Sequence, residues 1–194
     1  MGGVGVTVNS EAAPVSFVSN VQINFLVPTD IVPGTVKIEA TNNGLSSAVV
    51  STTAFATAPS FFLLGSNATN GHLYVTATHA NNSLIGPAGL ISGATTTPAA
   101  PGETIVLYGT GFGATSSPIP NGQIVPAPLP LPVWPTVVID AIEAQVVFAG
   151  LVGPGLYQIN VVVPAGLASG DHLITALLGD AETQLDAFLT VAAP

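Results

Sequence analysis

The sequence contains no cysteine and only one basic side chain, Lys37. Without cysteine there is no thiolate nucleophile, no Cys-ligated zinc and no disulfide framework. Lys37 stands against ten acids, for a formal charge of −9. Nucleic acid is thereby excluded as a partner, because neutralising phosphates takes Lys and Arg. Anionic membrane surfaces are excluded by the same reasoning. Charged residues of any sign make up only 6% of the chain. Helical periodicity is nearly absent.

The mean hydropathy of +0.64 raises the question of membrane insertion. The longest apolar stretch, residues 145–168, is long enough to span a bilayer but holds two prolines and four glycines and has no basic flank. It reads as two strands and a turn, not a bilayer helix. The opening "MGGVGVTVNS" has neither a basic region nor an uninterrupted apolar one, so it does not read as a signal peptide.

What is present is a series of short runs rich in Val, Ile, Thr, Phe and Tyr, set between Gly, Pro, Asn and Ser clusters. "GVTVN", "VQINFLVP", "TVKIEAT", "HLYVTATH", "ETIVLYG", "TVVID", "QVVFAG", "YQINVVVP", "HLITALL" and "QLDAFLTV" all predict strands. In "TVKIEAT", Val36, Ile38 and Ala40 take one face and Lys37 and Glu39 the other, the pattern of a half-buried antiparallel strand. Turn signals fall at Pro33-Gly34, Asn43-Gly44, Gly153-Pro154 and Gly179-Asp180. The expected fold class is all-β.

The chain also repeats itself. "VTVNSEAAPVSF" from Val6 aligns without a gap on "VVIDAIEAQVVF" from Val137, bringing Phe17 onto Phe148. After an insertion of five residues, "QINFLVPTDIVPGTVKI" from Gln22 aligns on "QINVVVPAGLASGDHLI" from Gln158, with Gly34 on Gly170. Two copies of one β-domain are the simplest source of such a match. The shared Gln and Asn supply neither a base nor a nucleophile, and hydrogen bonding at a strand edge is their expected role.

Ahead of the second copy lies "PGETIVLYGTGFG", a strand running into a glycine-studded bend. Together with "QINVVVPAGLASGDHLI" it resembles the IPT/TIG type of immunoglobulin-like domain, in which a "GxxVxIxGxGFG" first strand precedes a strand ending in "VP". The wider order "APSFF … NNSLIGP … PGETIVLYGTGFG … VVFAGLVGPGLYQINVVVPAGLASGD" resembles β-modules near the C-termini of large secreted proteins of soil bacteria. The resemblance implies tandem immunoglobulin-like β-sandwich domains and carries over no catalytic residue. Its expected divisions are an incomplete domain over 1–58, a hairpin-rich connecting segment over 59–97 and a complete domain over 98–194. The first copy lacks its opening strand, since only "MGGVG" precedes Val6. Three sources for that strand are open: a longer polypeptide, residues 59–97, or a neighbouring subunit.

Candidate chemistry is sparse. "YGTGFG" (108–113) superficially suggests a phosphate loop, but no helix follows it, so a bent strand is expected. His72 and His79 would face opposite surfaces of one continuous strand, and His172 follows Asp171 at a turn; all three are read as surface histidines, not metal ligands. Asp180, Glu182 and Asp186 read as solvated hairpin carboxylates, and Asp140 and Glu143 would point away from each other. No general acid stands beside its base, and no cofactor site is apparent. Residues 118–135 hold seven prolines and the sole tryptophan, Trp134. They predict local polyproline II structure, with Trp134 capping the core or serving as a strand-complementation or ligand contact. Asn67 and Asn81 open glycosylation sequons.

The sequence therefore predicts a secreted, non-catalytic structural protein: a subunit or repeat module of a bacterial extracellular filament or large surface protein, open to assembly by strand complementation. Its expected partners are copies of itself or neighbouring domains. The alternative is a carbohydrate-binding or adhesive accessory module with a glycan partner.

Overall fold

β-Branched and aromatic residues in short alternating runs favour the pleated, half-buried surface of a sheet. The computed structural model describes residues 2–117, 125 and 127–192, and contains no helix among them. The chain is all-β. It divides into two compact units, Met1–Ala56 with Ser117–Pro126, and Thr57–Ser116 with Ala127–Pro194. Residues 118–124 and 126 of the proline-rich stretch lie outside the described residues.

The first unit carries β1 (Val4–Val8), β2 (Glu11–Ala13), β3 (Val15–Val18), β4 (Ile23–Phe25), β5 (Gly34–Asn42), β6 (Leu45–Ser46) and β7 (Val50–Ala54). Among described residues, one sheet runs β2-β1-β5-β6 with β7 also on β5, and β3 and β4 pair only with each other. Its fully buried core is small: Val6, Val8, Ala13 and Val36, with Val15, Ile23, Phe25 and Ile38 partly buried against it.

The second unit carries β8 (Ser60–Phe61), β9 (Leu63–Ser66), β10 (Leu73–Val75), β11 (Ala77–Thr78), β12 (Leu84–Ile85), β13 (Thr96–Thr97) and β14 (Thr104–Thr110). It continues with β15 (Leu129–Pro130), β16 (Thr136–Ile139), β17 (Ile142–Gly153), β18 (Leu156–Val162), β19 (Gly170–Leu178), β20 (Ala181–Glu182) and β21 (Ala187–Val191). Hydrogen bonding links them in the order β13-β12-β11-β14-β18-β17-β16-β19-β21-β10-β9. Ile105, Leu107 and Ile159 from one part of that path share a core with Ile139, Ile174 and Leu189 from another, so the path folds back around one interior.

The sequence repeat is a structural repeat down to single hydrogen bonds. β1 pairs β2 with Val6 opposite Ala13, and β16 pairs β17 with Val137 opposite Ala144. β1 pairs β5 with Val8 opposite Ile38, and β16 pairs β19 with Ile139 opposite Ile174. The same bulge interrupts β3 between Val15 and Phe17 and β17 between Val146 and Phe148. Asn9 and Asp140 both turn with positive φ, 51° and 52°, a conformation their short polar side chains tolerate. Asn9 Oδ1 accepts from Lys37 N at 2.9 Å, and Asp140 Oδ1 accepts from Leu173 N at 3.0 Å. Gln22 Nε2 donates to Asn24 Oδ1 at 2.6 Å, and Gln158 Nε2 to Asn160 Oδ1 at 2.8 Å. The repeated phrase is thus a strand with a side-chain ladder on its outer face. The five inserted residues lengthen the β17–β18 hairpin, which turns at Gly155.

Two expectations need correction. Residues 59–97, expected as a connecting segment, supply β8 to β13 to the second unit, where β8 and β11 both pair β14. Among the described residues, none of them pairs a strand of the first unit. The run "HLYVTATH" is not one continuous strand. It breaks at Thr76, so that β10 pairs β21 while β11 pairs β14. The bend at "YGTGFG" has a steric reason: residues 58–61 run close alongside it, with β8 paired antiparallel to Gly109 and Thr110 and Ala58 N donating to Gly111 O. A Cβ on Gly111 would lie 1.9 Å from Ala58 O, and one on Gly109 would lie 2.5 Å from Ser60 O. Only glycine admits so close an approach.

Candidate functional site

The two copies differ at the outer edge of β4. In the second unit β18 is flanked on one side by β17 and on the other by β14, with Leu107 opposite Ile159 and Ile105 opposite Val161. In the first unit β4, the counterpart of β18, has β3 on one side and no described strand on the other.

Alternation along the strand fixes which groups face the vacant side. Leu26 N donates to Pro14 O at 2.8 Å, and Gln22 O accepts from Ser19 N at 2.8 Å, so both residues direct their backbone inward toward β3. The residues between and beyond, Ile23, Phe25 and Val27, must direct N–H and C=O outward. Their counterpart Val163 shows what such groups do when a strand is present: its N–H donates to Glu103 O and its C=O accepts from Gly102 N, both at 2.8 Å.

Side-chain burial tells the same story. Ile159, Val161 and Val163 are each 0% exposed, whereas Ile23 and Phe25 are only partly buried and Val27 is 47% exposed. Val21 is 88% exposed. Its counterpart Tyr157 instead lies against Phe112, ring centroids 5.8 Å apart, and donates its hydroxyl to Gly113 O. Eight of the sixteen exposed large hydrophobics among described residues belong to the first unit, Phe17, Val32 and Phe55 among them. Free edges are ordinarily blunted by lysine, proline or a charge aimed at the approaching strand. β4 has none of these, and the chain's single lysine is on β5.

The structure also gathers polar groups that sequence spacing had kept apart. All three histidines, read above as surface residues, have carboxylate partners. His79 Nδ1 lies 2.6 Å from Glu103 Oε1 and its Nε2 lies 2.9 Å from Thr97 Oγ1. Hydroxyl, imidazole and carboxylate line a shallow groove of about 330 Å³ together with Ala80, Asn81 and Ser83. Glu103 Oε2 also accepts from Ala100 N at 2.9 Å, so the group ties the β11–β12 hairpin to the start of β14.

His72 Nδ1 approaches Asp171 Oδ2 at 3.0 Å, and its ring stacks on Phe188 with centroids 3.8 Å apart. Asp171 also accepts from Tyr74 at 2.6 Å and Thr190 at 2.7 Å. Burial pushes the Asp171 carboxyl up, but the hydrogen bonds from Tyr74, Thr190 and His72 outweigh it and hold the group below its ordinary range.

His172 is buried, not at the surface. It sits 2.6 Å from Asp140 Oδ2, while its Nε2 donates to Ala168 O at 2.9 Å. Burial lowers its pKa, yet the bonds to Asp140 and Ala168 and the neighbouring negative charges raise it above the ordinary histidine value. These partners lie 24 to 99 residues apart in sequence, beyond the reach of any spacing rule.

Trp134 is 44% exposed, so it does not seal the core; Leu131, three residues earlier, is buried in its place. Asn67 Oδ1 accepts from Thr69 N at 2.8 Å and Asn81 Oδ1 from Ser83 N at 3.0 Å, so each sequon forms its own local turn. Asp180 and Glu182 lie exposed in the β19–β20 hairpin, and no metal-ligating group of three His, Asp or Glu occurs among described residues. No described helix is long and apolar enough to cross a membrane.

No family model matches the chain, and no curated protein matches it. Among solved structures, the chain is similar to the Bacteroides ovatus mixed-linkage glucan utilization locus protein SGBP-B in complex with a mixed-linkage heptasaccharide. Identity is 12% and the TM-score is 0.35; the match covers 97% of this chain and 36% of that one.

Proposed function

We propose that this chain is a non-catalytic structural protein, a subunit or repeat module of a bacterial extracellular filament or large surface protein. On this reading its units are immunoglobulin-like β-sandwiches of the IPT/TIG type, and it works outside the cell. The observation that carries the reading is a contrast between the copies: no described strand pairs the outer side of β4, whereas β14 pairs the equivalent side of β18. A repeated β-unit with one unguarded edge is suited to joining by strand addition. The sparse charge supports it further, since freely diffusing monomers ordinarily carry a denser charged coat than 6%.

Negative-stain electron microscopy across a concentration series tests the proposal. Regular fibres with a repeat of about one subunit length are expected; single particles at every concentration contradict it.

A glycan-binding reading rests on the groove beside His79, whose lining offers imidazole, amide, hydroxyl and carboxylate groups. That lining lacks an aromatic ring on which a sugar would stack. A glycan array with Glu103→Gln as control decides it. The order Thr97–His79–Glu103 is also that of a nucleophile relay. In the non-catalytic reading these groups are held in the contacts that anchor the hairpin, and ester turnover abolished by Thr97→Ala would contradict it.

A further inference from the structure

We infer that the outer side of β4 is a binding site for an extended peptide segment donated by another polypeptide, and that β14 shows the chemistry of that segment. The inference rests on the assembly reading above and deepens it by naming the partner. In the second unit the equivalent site is occupied, so the occupant's register can be transferred. Ile105 lies opposite Val161 and Leu107 opposite Ile159, with Val106 and Tyr108 on the other face. Carried to the first unit, these positions fall opposite Phe25 and Ile23. The donor therefore needs two large apolar residues, one apart along the strand, to cover Phe25 and Ile23 and to shield Val27. Its intervening residues face the Gln22–Asn24 ladder, which is polar and uncharged. An acid or lysine at either inward position would be set against the partly buried Ile23 and Phe25 without a counter-charge.

β14 from a second copy cannot itself be the donor. It is held on one side by β18 and on the other by β8 and β11, and both Ile105 and Leu107 are 0% exposed. Releasing it would open the core of its own unit. The donor is thus a segment that is unpaired before it binds, with β14-like alternation.

The probe is a synthetic peptide of the sequence of residues 103–110, "ETIVLYGT", with a lysine tail for solubility, titrated into the intact protein at a concentration where it is monomeric. Amide hydrogen exchange is read at Ile23, Phe25 and Val27. The expected result is saturable, one-to-one slowing at these three amides by about tenfold or more. A peptide bearing the changes Ile105→Asp and Leu107→Asp should give none. Slowing that is equal for both peptides, or absent for both, overturns the inference. So does protection already complete in the dilute protein, which would mean that the chain fills its own edge. Protection that rises with protein concentration alone would identify the donating polypeptide as a second copy, through a segment other than β14, and would support the inference together with the filament reading. Fibres without protection at these amides would sink this inference and spare the filament reading; peptide binding without fibres would do the reverse.

Discussion

Val27 and Val163 occupy the same position in two copies of one fold, yet Val27 is 47% exposed and Val163 is fully buried. The difference lies in the neighbouring strand, present beside Val163 and absent, among described residues, beside Val27. Identical substitutions should therefore have unequal effects. Removing two buried methyl groups by Val163→Ala should destabilise the second unit by about 2 kcal/mol, from lost transfer energy plus the cavity left behind. Val27→Ala should fall within about 0.5 kcal/mol of the parent in the unassembled protein. Urea unfolding of both variants checks this.

A second prediction concerns pH. His172 has a folded pKa above the ordinary 6.5, so its contribution is complete below the unfolded value and is lost as pH rises through the folded one. Asp171 has a folded pKa below 3.8, so its contribution is present above the unfolded value and is lost as pH falls through the folded one. Stability of the second unit should therefore be greatest in mildly acidic solution, between about pH 4 and 6.5, and fall on both sides. Denaturant midpoints against pH should lose the alkaline slope in His172→Gln and the acidic slope in Asp171→Asn.

Glycines with similar backbone angles should separate by what stands over them. Gly111 and Gly93 have φ of 76° and 81°, but a Cβ on Gly111 meets Ala58 O at 1.9 Å while one on Gly93 meets nothing within 4 Å. Gly93→Ala should cost about 1 kcal/mol from backbone strain alone. Gly111→Ala adds a collision with backbone and should exceed about 3 kcal/mol, read as a shift in unfolding midpoint.

Gln184 acts as a clasp across the second unit. Its Oε1 accepts from Phe61 N at 2.9 Å and its Nε2 donates to Phe61 O at 2.7 Å, while Ser60 Oγ also reaches Oε1 at 3.1 Å. Gln184→Ala leaves backbone groups of β8 unpaired and should cost about 2 kcal/mol. Gln184→Glu keeps the acceptor but loses the donor to Phe61 O, and should restore only part of the loss in the same assay.

Much of the local structure was legible because it is written locally. Alternation around Lys37 and Glu39 and the Asn43-Gly44 turn mark β5 and its hairpin, and the observed φ of 49° and 83° at that turn show why those two residues are there. The "QIN…VP" match was legible because both copies solve one packing problem with the same residues. What sequence left hidden is long-range. Nothing local in 59–97 says that β8 and β11 will pair β14, since such pairings depend on shape reached only in the folded chain. The break at Thr76 is hidden for a related reason: Thr76 N donates to Phe62 O while Thr76 O accepts from Tyr108 N, so partners elsewhere bend an otherwise regular run. The carboxylate partners of the histidines came to light only when the strands carrying them were placed together.

The most direct test of the account is amide hydrogen exchange on the dilute, unassembled protein, comparing Ile23, Phe25 and Val27 with Ile159, Val161 and Val163. Exchange near the unprotected rate is expected for the first three, and slowing by orders of magnitude for the second three, whose N–H groups face β14 or, for Val163, donate to Glu103 O just before it. Comparable protection in both sets would mean that the β4 edge is already paired, and would contradict the claim that it is open to a partner.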